Sequence, residues 1–210
     1  MNEAISTVFV IDDDQSVLRA LSRLLTAKGF IVRTFSSALE FLAAHDFDVP
    51  GCAVVDVSLP GLNGLELQAA LKDSNGIARP IIFISGLGDV PTSVRAMKEG
   101  AVDFLTKPID ENSLFHAIGA AVERDSAYRR SQRELDDALA GYRSLTLRER
   151  EVLAHVAAGR LNKQIAGDLG ISEKTIKVHR GRMMSKMKAR SVAELVRLAD
   201  RLQLELPQGR

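Results

Sequence analysis

The sequence predicts a doubly wound α/β domain, a helical linker and a small all-α domain, in that order. Short apolar runs alternate with helix-like segments five times over residues 1–122, which is typical of parallel strands connected by helices. From residue 144 onward the apolar spacing is helical. The charge divides in the same way, because residues 141–210 hold 15 of the 28 basic residues and only 7 of the 27 acidic ones.

The five predicted strands are short apolar runs bounded by turn residues, as expected for buried strands of a parallel sheet. They are Val8–Ile11, Ile31–Phe35, Cys52–Asp56, Ile81–Ile84 and Asp103–Leu105. Four of the five strands end in, or are followed by, polar residues that can bind a ligand or react with one. Since ligands of open α/β sheets bind at the carboxyl ends of the strands, we expect these groups to share one crevice.

A helix is predicted after each strand. Helical spacing of apolar residues marks the first helix, which ends near Gly29. Ser36 and Ser37 can cap the second helix, the fourth covers residues 91–99, and Asp110 caps the fifth. This alternation completes a (βα)5 domain, which we place at residues 1–122.

Residues 123–143 form a mixed-charge segment that we predict to be a mostly helical linker. Tyr128, Leu135 and Tyr142 recur every seven residues, which is a weak coiled-coil pattern. Two heptads do not establish a coiled coil, so dimerisation along the linker is a hypothesis.

The segment 144–210 carries the sequence pattern of a helix-turn-helix domain. Thr146 to Glu149 fits a capping box at the start of its first helix. A short helix over Asn162–Leu169, a glycine turn and a basic helix capped by Ser172 follow, and this is the helix-turn-helix order. One more helix begins after Ser191.

Composition limits the compartment and the partners. The single cysteine, Cys52, cannot form a disulfide within the chain, and a reducing compartment fits this. We see neither a signal peptide nor an apolar run of membrane-spanning length, so we expect a cytoplasmic protein without membrane contact. The basic C-terminal domain predicts a polyanionic partner.

Crowded carboxylates at the strand ends predict a divalent cation. Asp12, Asp13 and Asp56 would repel one another unless a hard cation such as Mg²⁺ lies between them. A carboxylate neutralised by Mg²⁺ and Lys107 can attack a phosphoryl group and form an aspartyl phosphate. Ser85 can donate a hydrogen bond to that phosphoryl group. The glycines that follow it, Gly86 and Gly88, allow a close approach of the chain, and the bond between Lys107 and Pro108 is a candidate cis peptide.

Residues 7–121 resemble the flavodoxin-like receiver domain of bacterial two-component response regulators, and the stretch from Ile84 to Pro91 is similar to the FixJ subfamily. The resemblance implies that Asp56 is the phosphoacceptor. It also implies metal ligands and switch or phosphate-binding residues. These are Asp12, Asp13, Asp56 and the Ser58 carbonyl for the metal, and Ser85, Phe104 and Lys107 for the switch and the phosphate. The family usually has a larger side chain than that of Ser58, and FixJ relatives often have a polar or aromatic residue in place of Leu87.

Residues 144–200 resemble the four-helix LuxR-type DNA-binding domain. The basic helix would place one face in a major groove, where lysines and arginines bind phosphates and Val178 can touch a thymine methyl. The family's base contacts would fall on Lys177, Val178 and Gly181. The full set of expected DNA-binding residues is Lys174, Thr175, Lys177, Val178, Arg180, Gly181 and Arg182.

Both resemblances together identify the chain as a FixJ/NarL-type response regulator and transcription factor. A sensor histidine kinase would phosphorylate Asp56 with Mg²⁺, and the phosphorylated homodimer would bind promoter DNA, with RNA polymerase as a possible further partner. No catalytic residues are expected beyond this self-directed phosphoryl transfer. A dehalogenase-like phosphatase would need a second acid where Ser58 stands, and a nucleotide-binding enzyme would need a glycine-rich loop that the sequence lacks. The third alternative is a constitutive DNA-binding protein with a vestigial receiver.

Overall fold

The computed structural model describes residues 6–44, 46–71, 79–86 and 90–204. The chain divides into two compact units, Met1–Tyr128 and Arg129–Arg210. Leu87 and Gly88, discussed above, lie outside the described residues.

The first unit contains one five-stranded sheet in which every pairing is parallel. Its strands are β1 (Thr7–Ile11), β2 (Ile31–Phe35), β3 (Gly51–Asp56), β4 (Ile81–Ser85) and β5 (Asp103–Thr106). They lie in the order β2-β1-β3-β4-β5. The chain therefore leaves β1 to one side for β2 and returns to its other side for β3. This reversal creates a topological switch point at the carboxyl ends of β1 and β3.

Helices cover both faces of this sheet, which confirms the doubly wound prediction. They are α1 (Gln15–Ala27), α2 (Ala38–Ala44), α3 (Gly64–Ala70), α4 (Val90–Lys98) and α5 (Glu111–Arg143). Asp14 caps α1, and Asn63 forms a capping box with Glu66 at the start of α3. The predicted caps Ser37 and Asp110 accept hydrogen bonds from the backbone N–H groups of Glu40 and Ser113.

Alternate residues of the central strands enter two separate apolar cores. Phe9, Val55 and Phe83 lie in the core beneath α2, α3 and α4, whereas Val10 and Val54 lie in the core beneath α1 and α5. All of these side chains are fully buried. Burial of each contributes about 1.5–3 kcal/mol relative to exposure. The two cores hold the strands in register and so fix the positions of their carboxyl ends.

The helix α5 runs without interruption from Glu111 to Arg143. The predicted linker over residues 123–143 is thus helical, and it continues the last helix of the α/β unit. The division between the two compact units falls inside this helix, between Tyr128 and Arg129. The predicted boundaries of the receiver and the linker remain predictions.

The second unit contains the end of α5 and four further helices, as predicted. These are α6 (Leu147–Ala157), α7 (Asn162–Leu169), α8 (Glu173–Lys186) and α9 (Val192–Arg201). Thr146 and Glu149 form the predicted capping box, and Ser172 and Ser191 cap α8 and α9. Gly170 adopts a left-handed φ of 65°, which lets α7 turn into α8.

The four helices surround one apolar core. Ile165 of α7, Ile176 and Met183 of α8 and Leu195 of α9 are fully buried within it. In the part of the chain that the structure describes, no helix is both long and apolar enough to cross a membrane.

Candidate functional site

One lysine joins two buried aspartates at the carboxyl edge of the sheet. The Lys107 Nζ lies 2.7 Å from Asp12 Oδ2 and 2.9 Å from Asp56 Oδ1. Asp12 follows β1, Asp56 ends β3 and Lys107 follows β5, so the parallel sheet brings together residues that are far apart in sequence. The backbone N–H of Lys107 donates to the Ser85 carbonyl at 2.8 Å, which anchors the lysine beside the end of β4.

The electrostatics of this cluster are unbalanced. The side chains of Asp12 and Asp56 are only 1% and 6% exposed, and one ammonium serves both. Partial burial of Lys107 opposes its charged form, but the hydrogen bonds that it donates to the two aspartates, together with their charges, outweigh burial, and the pKa of the lysine is raised. Two buried acids on one base leave a surplus of negative charge that a further cation could neutralise.

Backbone amides hold the other oxygens of the two carboxylates. The Asp14 N–H donates to Asp12 Oδ1 at 2.9 Å, and the Ser58 N–H donates to Asp56 Oδ2 at 2.7 Å. These bonds fix the orientation of both carboxyl groups. Each carboxylate oxygen can accept more than one bond, so the oxygens keep the capacity to bind a cation.

The donor set fits Mg²⁺ by its chemistry, because Mg²⁺ prefers oxygen ligands and needs only one or two carboxylates from the protein. Asp13 is exposed. Among the described residues, no three Asp, Glu, His or Cys side chains gather closely enough to hold a metal ion, so Asp13 does not join the two buried acids in this arrangement. Asp13 and the Ser58 carbonyl therefore remain predicted ligands, and the buried pair is the better supported part of the prediction.

The two predicted switch residues lie on neighbouring strands. Ser85 ends β4, is 3% exposed and pairs in register with Thr106 of β5. Phe104 lies on β5 and is half-buried, with its ring centroid 6.3 Å from that of Phe83. Ser85 is thus beside the Lys107 anchor, while Phe104 contacts the apolar core that lies beneath α4.

In the second unit, α8 presents a basic face to solvent. Six of the seven predicted DNA-binding residues lie on α8 and are exposed. They are Lys174, Thr175, Lys177, Val178, Gly181 and Arg182. Val178 is 47% exposed, although it is apolar. The opposite face of the helix supplies Ile176 and Met183 to the core, so packing fixes which face is outward.

Three of the seven predicted residues have polar partners within the unit. The Lys177 Nζ lies 3.5 Å from Glu173 Oε1. The Thr175 hydroxyl is exposed and lies 2.8 Å from the Ser172 hydroxyl at the cap of α8. Arg180 is half-buried, and its guanidinium donates to Asn162 Oδ1 at 2.9 Å. This bond ties the middle of α8 to the start of α7. For Arg180 the arrangement favours positioning of the two helices over a direct base contact.

Two protein families match the chain, one in each unit. The family described as "Response regulator receiver domain" matches residues 8–119. The family described as "Bacterial regulatory proteins, luxR family" matches residues 143–199.

Curated relatives match over nearly the whole chain. Nodulation protein W of Bradyrhizobium diazoefficiens is 47% identical over 195 residues, which cover 93% of this chain and 86% of that protein. The transcriptional regulatory protein FixJ of Rhizobium meliloti is 43% identical over 193 residues, or 92% of this chain and 94% of FixJ. This chain belongs to the transcriptional response regulators of two-component systems. The receiver and LuxR-type resemblances inferred from its motifs are confirmed.

Solved structures resemble this response regulator over its full length. The response regulator StyR, solved at low resolution, is 44% identical with a TM-score of 0.80, covering 94% of this chain and 100% of StyR. Full-length FixJ from B. japonicum is 42% identical with a TM-score of 0.56, covering 95% of this chain and 98% of FixJ.

Sequence reasoning missed several partners of the site residues. Asp14, whose N–H binds Asp12, was not predicted as a cap of α1, although its position before that helix is a helix-cap signal. The bonds that join Arg180 to Asn162 and Glu149 to Lys186 link different helices. No local sequence pattern predicts such pairs, because they depend on how the helices pack.

Proposed function

We propose that a sensor histidine kinase phosphorylates this response regulator at Asp56, and that phosphorylation promotes homodimerisation and binding to promoter DNA. The observation that supports the site most strongly is the Lys107 ammonium shared by the buried Asp12 and Asp56 carboxylates. It supports Asp56 as the nucleophile, because the Ser58 N–H orients its carboxyl group and a cation lies beside it.

The proposed transfer uses one carboxylate oxygen of Asp56. That oxygen attacks the phosphorus of a phosphohistidine, the phosphorus–nitrogen bond breaks, and the histidine nitrogen leaves with the electron pair and takes up a proton. Lys107 neutralises charge on the phosphoryl oxygens, and Ser85 donates a hydrogen bond to one of them. The Ser58 N–H holds the carboxylate in place during the attack.

Mg²⁺ is part of this proposal. Asp12, Asp13, Asp56 and the Ser58 carbonyl would hold the ion, which supplies positive charge for the phosphoryl oxygens when it is bound. The surplus negative charge of the buried pair supports this assignment.

The proposed dimer surface is an exposed apolar row on α4. Val90, Val94 and Met97 lie along one side of the helix and are 69%, 46% and 45% exposed. A second copy of this chain is the proposed occupant, because one chain supplies one recognition helix and a two-fold operator requires two. Phosphate at Asp56 would act through Ser85 and Phe104, whose strands end beside the phosphoacceptor and contact the core under α4.

The proposed DNA contacts come from the exposed face of α8. Lysines and arginines would bind phosphates, while Lys177 and Val178 would contact base edges. Replacement of Lys177 by alanine should weaken binding to a preferred duplex more than binding to a scrambled one. Equal weakening on both duplexes would show that this lysine binds only phosphate. RNA polymerase remains a further proposed partner at the promoter.

The first experiment measures intact mass and oligomeric state after treatment with acetyl phosphate and Mg²⁺. The wild-type chain should gain one phosphoryl group and shift to a dimer, and Asp56→Asn should do neither. If Asp56→Asn is phosphorylated as fully as wild type, the assigned acceptor is wrong. If wild type is phosphorylated but stays monomeric, the proposed switch fails while the site stands.

A second experiment tests the α4 row with a matched control. Val94→Asp places a charge in the row and should give a phosphorylated monomer. Leu39→Asp alters an apolar residue on α2 that is even more exposed, at 66%, and should still dimerise. If both variants dimerise like wild type, the contact surface lies elsewhere.

A further inference from the structure

The final three turns of α5 pack on the DNA-binding unit through a set of close contacts at its C-terminal end. Asp137 Oδ2 lies 2.8 Å from the Lys188 ammonium, and the Ser131 hydroxyl accepts a hydrogen bond from Arg201 at 2.7 Å. Ala138, next to Asp137, is 1% exposed. A mixed-charge linker that merely joined two domains would not be expected to bury an alanine.

Gly141 makes the closest of these approaches. A Cβ atom at this position would collide with the carbonyl oxygen of Lys186 and would stand 2.9 Å from its carbonyl carbon and 3.1 Å from the Met187 Cα. The obstructing atoms are backbone atoms, which cannot rotate away as a side chain can. Glycine at residue 141 therefore allows α5 to lie directly against the C-terminal end of α8.

The part of α8 that α5 contacts is also its cap. Met187 is fully buried, and Lys188 has a left-handed φ of 53° where the helix ends. Lys188 is the residue that pairs with Asp137. Lys186, two residues earlier, donates to the Ser144 carbonyl just beyond α5. Contacts with α5, and with Ser144 just after α5, therefore fix the C-terminal end of α8.

We propose that the α5 segment from Ser131 to Arg143 is a working part of the DNA-binding unit, and that Gly141 is a positioning residue for the recognition helix α8. This inference deepens the proposed function and rests on it. The base-contacting face of α8 has to be placed to within a fraction of an ångström for hydrogen bonds to base edges. Contact with α5 fixes one end of the helix, and the Arg180–Asn162 bond fixes its middle.

Within α5 itself, Gly119 provides a matched control. It is exposed, and nothing lies within 4 Å of the place where its Cβ would stand. Gly119→Ala and Gly141→Ala make the same chemical change in the same helix. Only the second change should displace α8.

The experiment compares full-length wild type, Gly119→Ala and Gly141→Ala on two DNA duplexes by fluorescence anisotropy. One duplex is selected by the wild-type chain from a randomised pool, and the other is its scrambled version. Gly141→Ala should lose about tenfold in affinity for the selected duplex, the size of one lost base contact. Its affinity for the scrambled duplex should stay within about twofold, because binding through phosphates depends on charge alone.

The outcomes separate this inference from the proposed function. No preference of wild type for the selected duplex would overturn the proposed sequence-specific binding. With that preference present, a Gly141→Ala variant that matches Gly119→Ala on both duplexes would overturn the positioning role. An equal loss on both duplexes would also overturn it, since it would indicate general damage to the unit.

A second variant tests the positioning role of this α5 segment if Gly141→Ala does not fold. The double substitution Ser131→Ala with Asp137→Ala removes two surface contacts of the same segment without introducing bulk. It should retain the circular dichroism spectrum of wild type and lose about threefold in affinity for the selected duplex alone, about the worth of one surface ion pair. An unchanged ratio of the two affinities would overturn the proposal.

Discussion

Each unit of this response regulator contains a lysine paired with buried carboxylate, and the two sites differ in charge balance. Lys107 serves two buried acids, Asp12 and Asp56, and leaves one negative charge in surplus. Lys186 serves a single buried acid, Glu149, at 2.6 Å, and also donates to the Ser144 carbonyl. A balanced, fully bonded pair stabilises the fold. A surplus of buried charge costs stability, and this supports our proposal that the receiver cluster is the functional site.

The partners of Glu149 show what a structural site looks like. Glu149 accepts a hydrogen bond from Lys186 and one from the Thr146 N–H at 2.9 Å. The bond from Lys186 is the larger cause, and with the bond from Thr146 it lowers the pKa of Glu149 to about 2 despite burial. The carboxylate both caps α6 and connects it to α8.

The largest loss of stability is expected on removal of Lys107, because this leaves Asp12 and Asp56 buried together without a base. Lys107→Ala should destabilise the receiver by about 2–3 kcal/mol at pH 7, below the range for a fully buried pair because the ammonium is 27% exposed. The pKa of Lys107 is raised, so the stabilisation is fully present below its ordinary value of 10.5 and is lost only as pH rises beyond it. Urea unfolding of the full chain gives the free energy of the receiver transition.

A double substitution provides the control for this prediction. In the Asp56→Asn background only one buried acid remains, so Lys107→Ala should cost clearly less than it does in wild type. An equal cost in both backgrounds would mean that the lysine stabilises the receiver by packing, and the charge argument would be wrong.

A smaller loss of stability is expected at the charge-balanced pair of Glu149 and Lys186. Glu149→Gln should destabilise the DNA-binding unit by about 2 kcal/mol at pH 7, because it weakens hydrogen bonds to a buried charged group. The pKa of Glu149 is depressed, so its contribution is present above the ordinary value of 4.5 and is lost as pH falls toward about 2. Thermal melts at pH 7 and pH 2.5 should show a large difference between variant and wild type only at pH 7. Glu151→Gln, on the same helix and 50% exposed, should change little at either pH.

Neutralising Asp56 in the receiver should raise stability, whereas neutralising Glu149 should lower it. Asp56→Asn removes the surplus charge and should stabilise the receiver by about 1 kcal/mol at pH 7, because two buried like charges no longer share one lysine. Urea unfolding of Asp56→Asn and Glu149→Gln side by side makes the comparison direct. If both variants are destabilised, charge surplus does not distinguish the functional site from the structural one.

Local sequence was sufficient for most of the fold. The strand Ile31–Phe35, the caps Ser172 and Ser191 and the turn at Gly170 all stand where their patterns placed them. Such signals are local, since strand runs and caps depend on neighbouring residues. The aspartates and Lys107 were predicted to meet because the carboxyl ends of parallel strands share an edge, and the buried pair does meet this lysine.

Contacts between distant helices were beyond this kind of reasoning. The spacing of Tyr128, Leu135 and Tyr142 suggested a coiled coil, whereas Tyr142 packs on the core of its own unit and Ala138 is buried. Gly141 carries no local sign of its contact with Lys186, because the two are far apart in the chain. The exposure of Asp13 likewise depends on the path of the chain between β1 and α1.

The smallest effect on stability tests the exposed face of α8. Gly181 lies within this helix, exposed, with nothing within 4 Å of a Cβ placed there, and Gly167 of α7 has the same surroundings. Alanine at either position should stabilise the unit by about 0.5–1 kcal/mol, because glycine is a poor helix former. The two variants should differ on DNA. A methyl group at position 181 would stand between the helix backbone and the base edges, so Gly181→Ala should bind the selected duplex several-fold more weakly, whereas Gly167→Ala should bind it as wild type does. Thermal melts and anisotropy titrations of both variants separate the two effects. A Gly181→Ala variant that is more stable and binds the selected duplex as tightly as Gly167→Ala would show that this position leaves its base pair uncontacted, and the specificity of the helix would then rest on Lys177 and Val178.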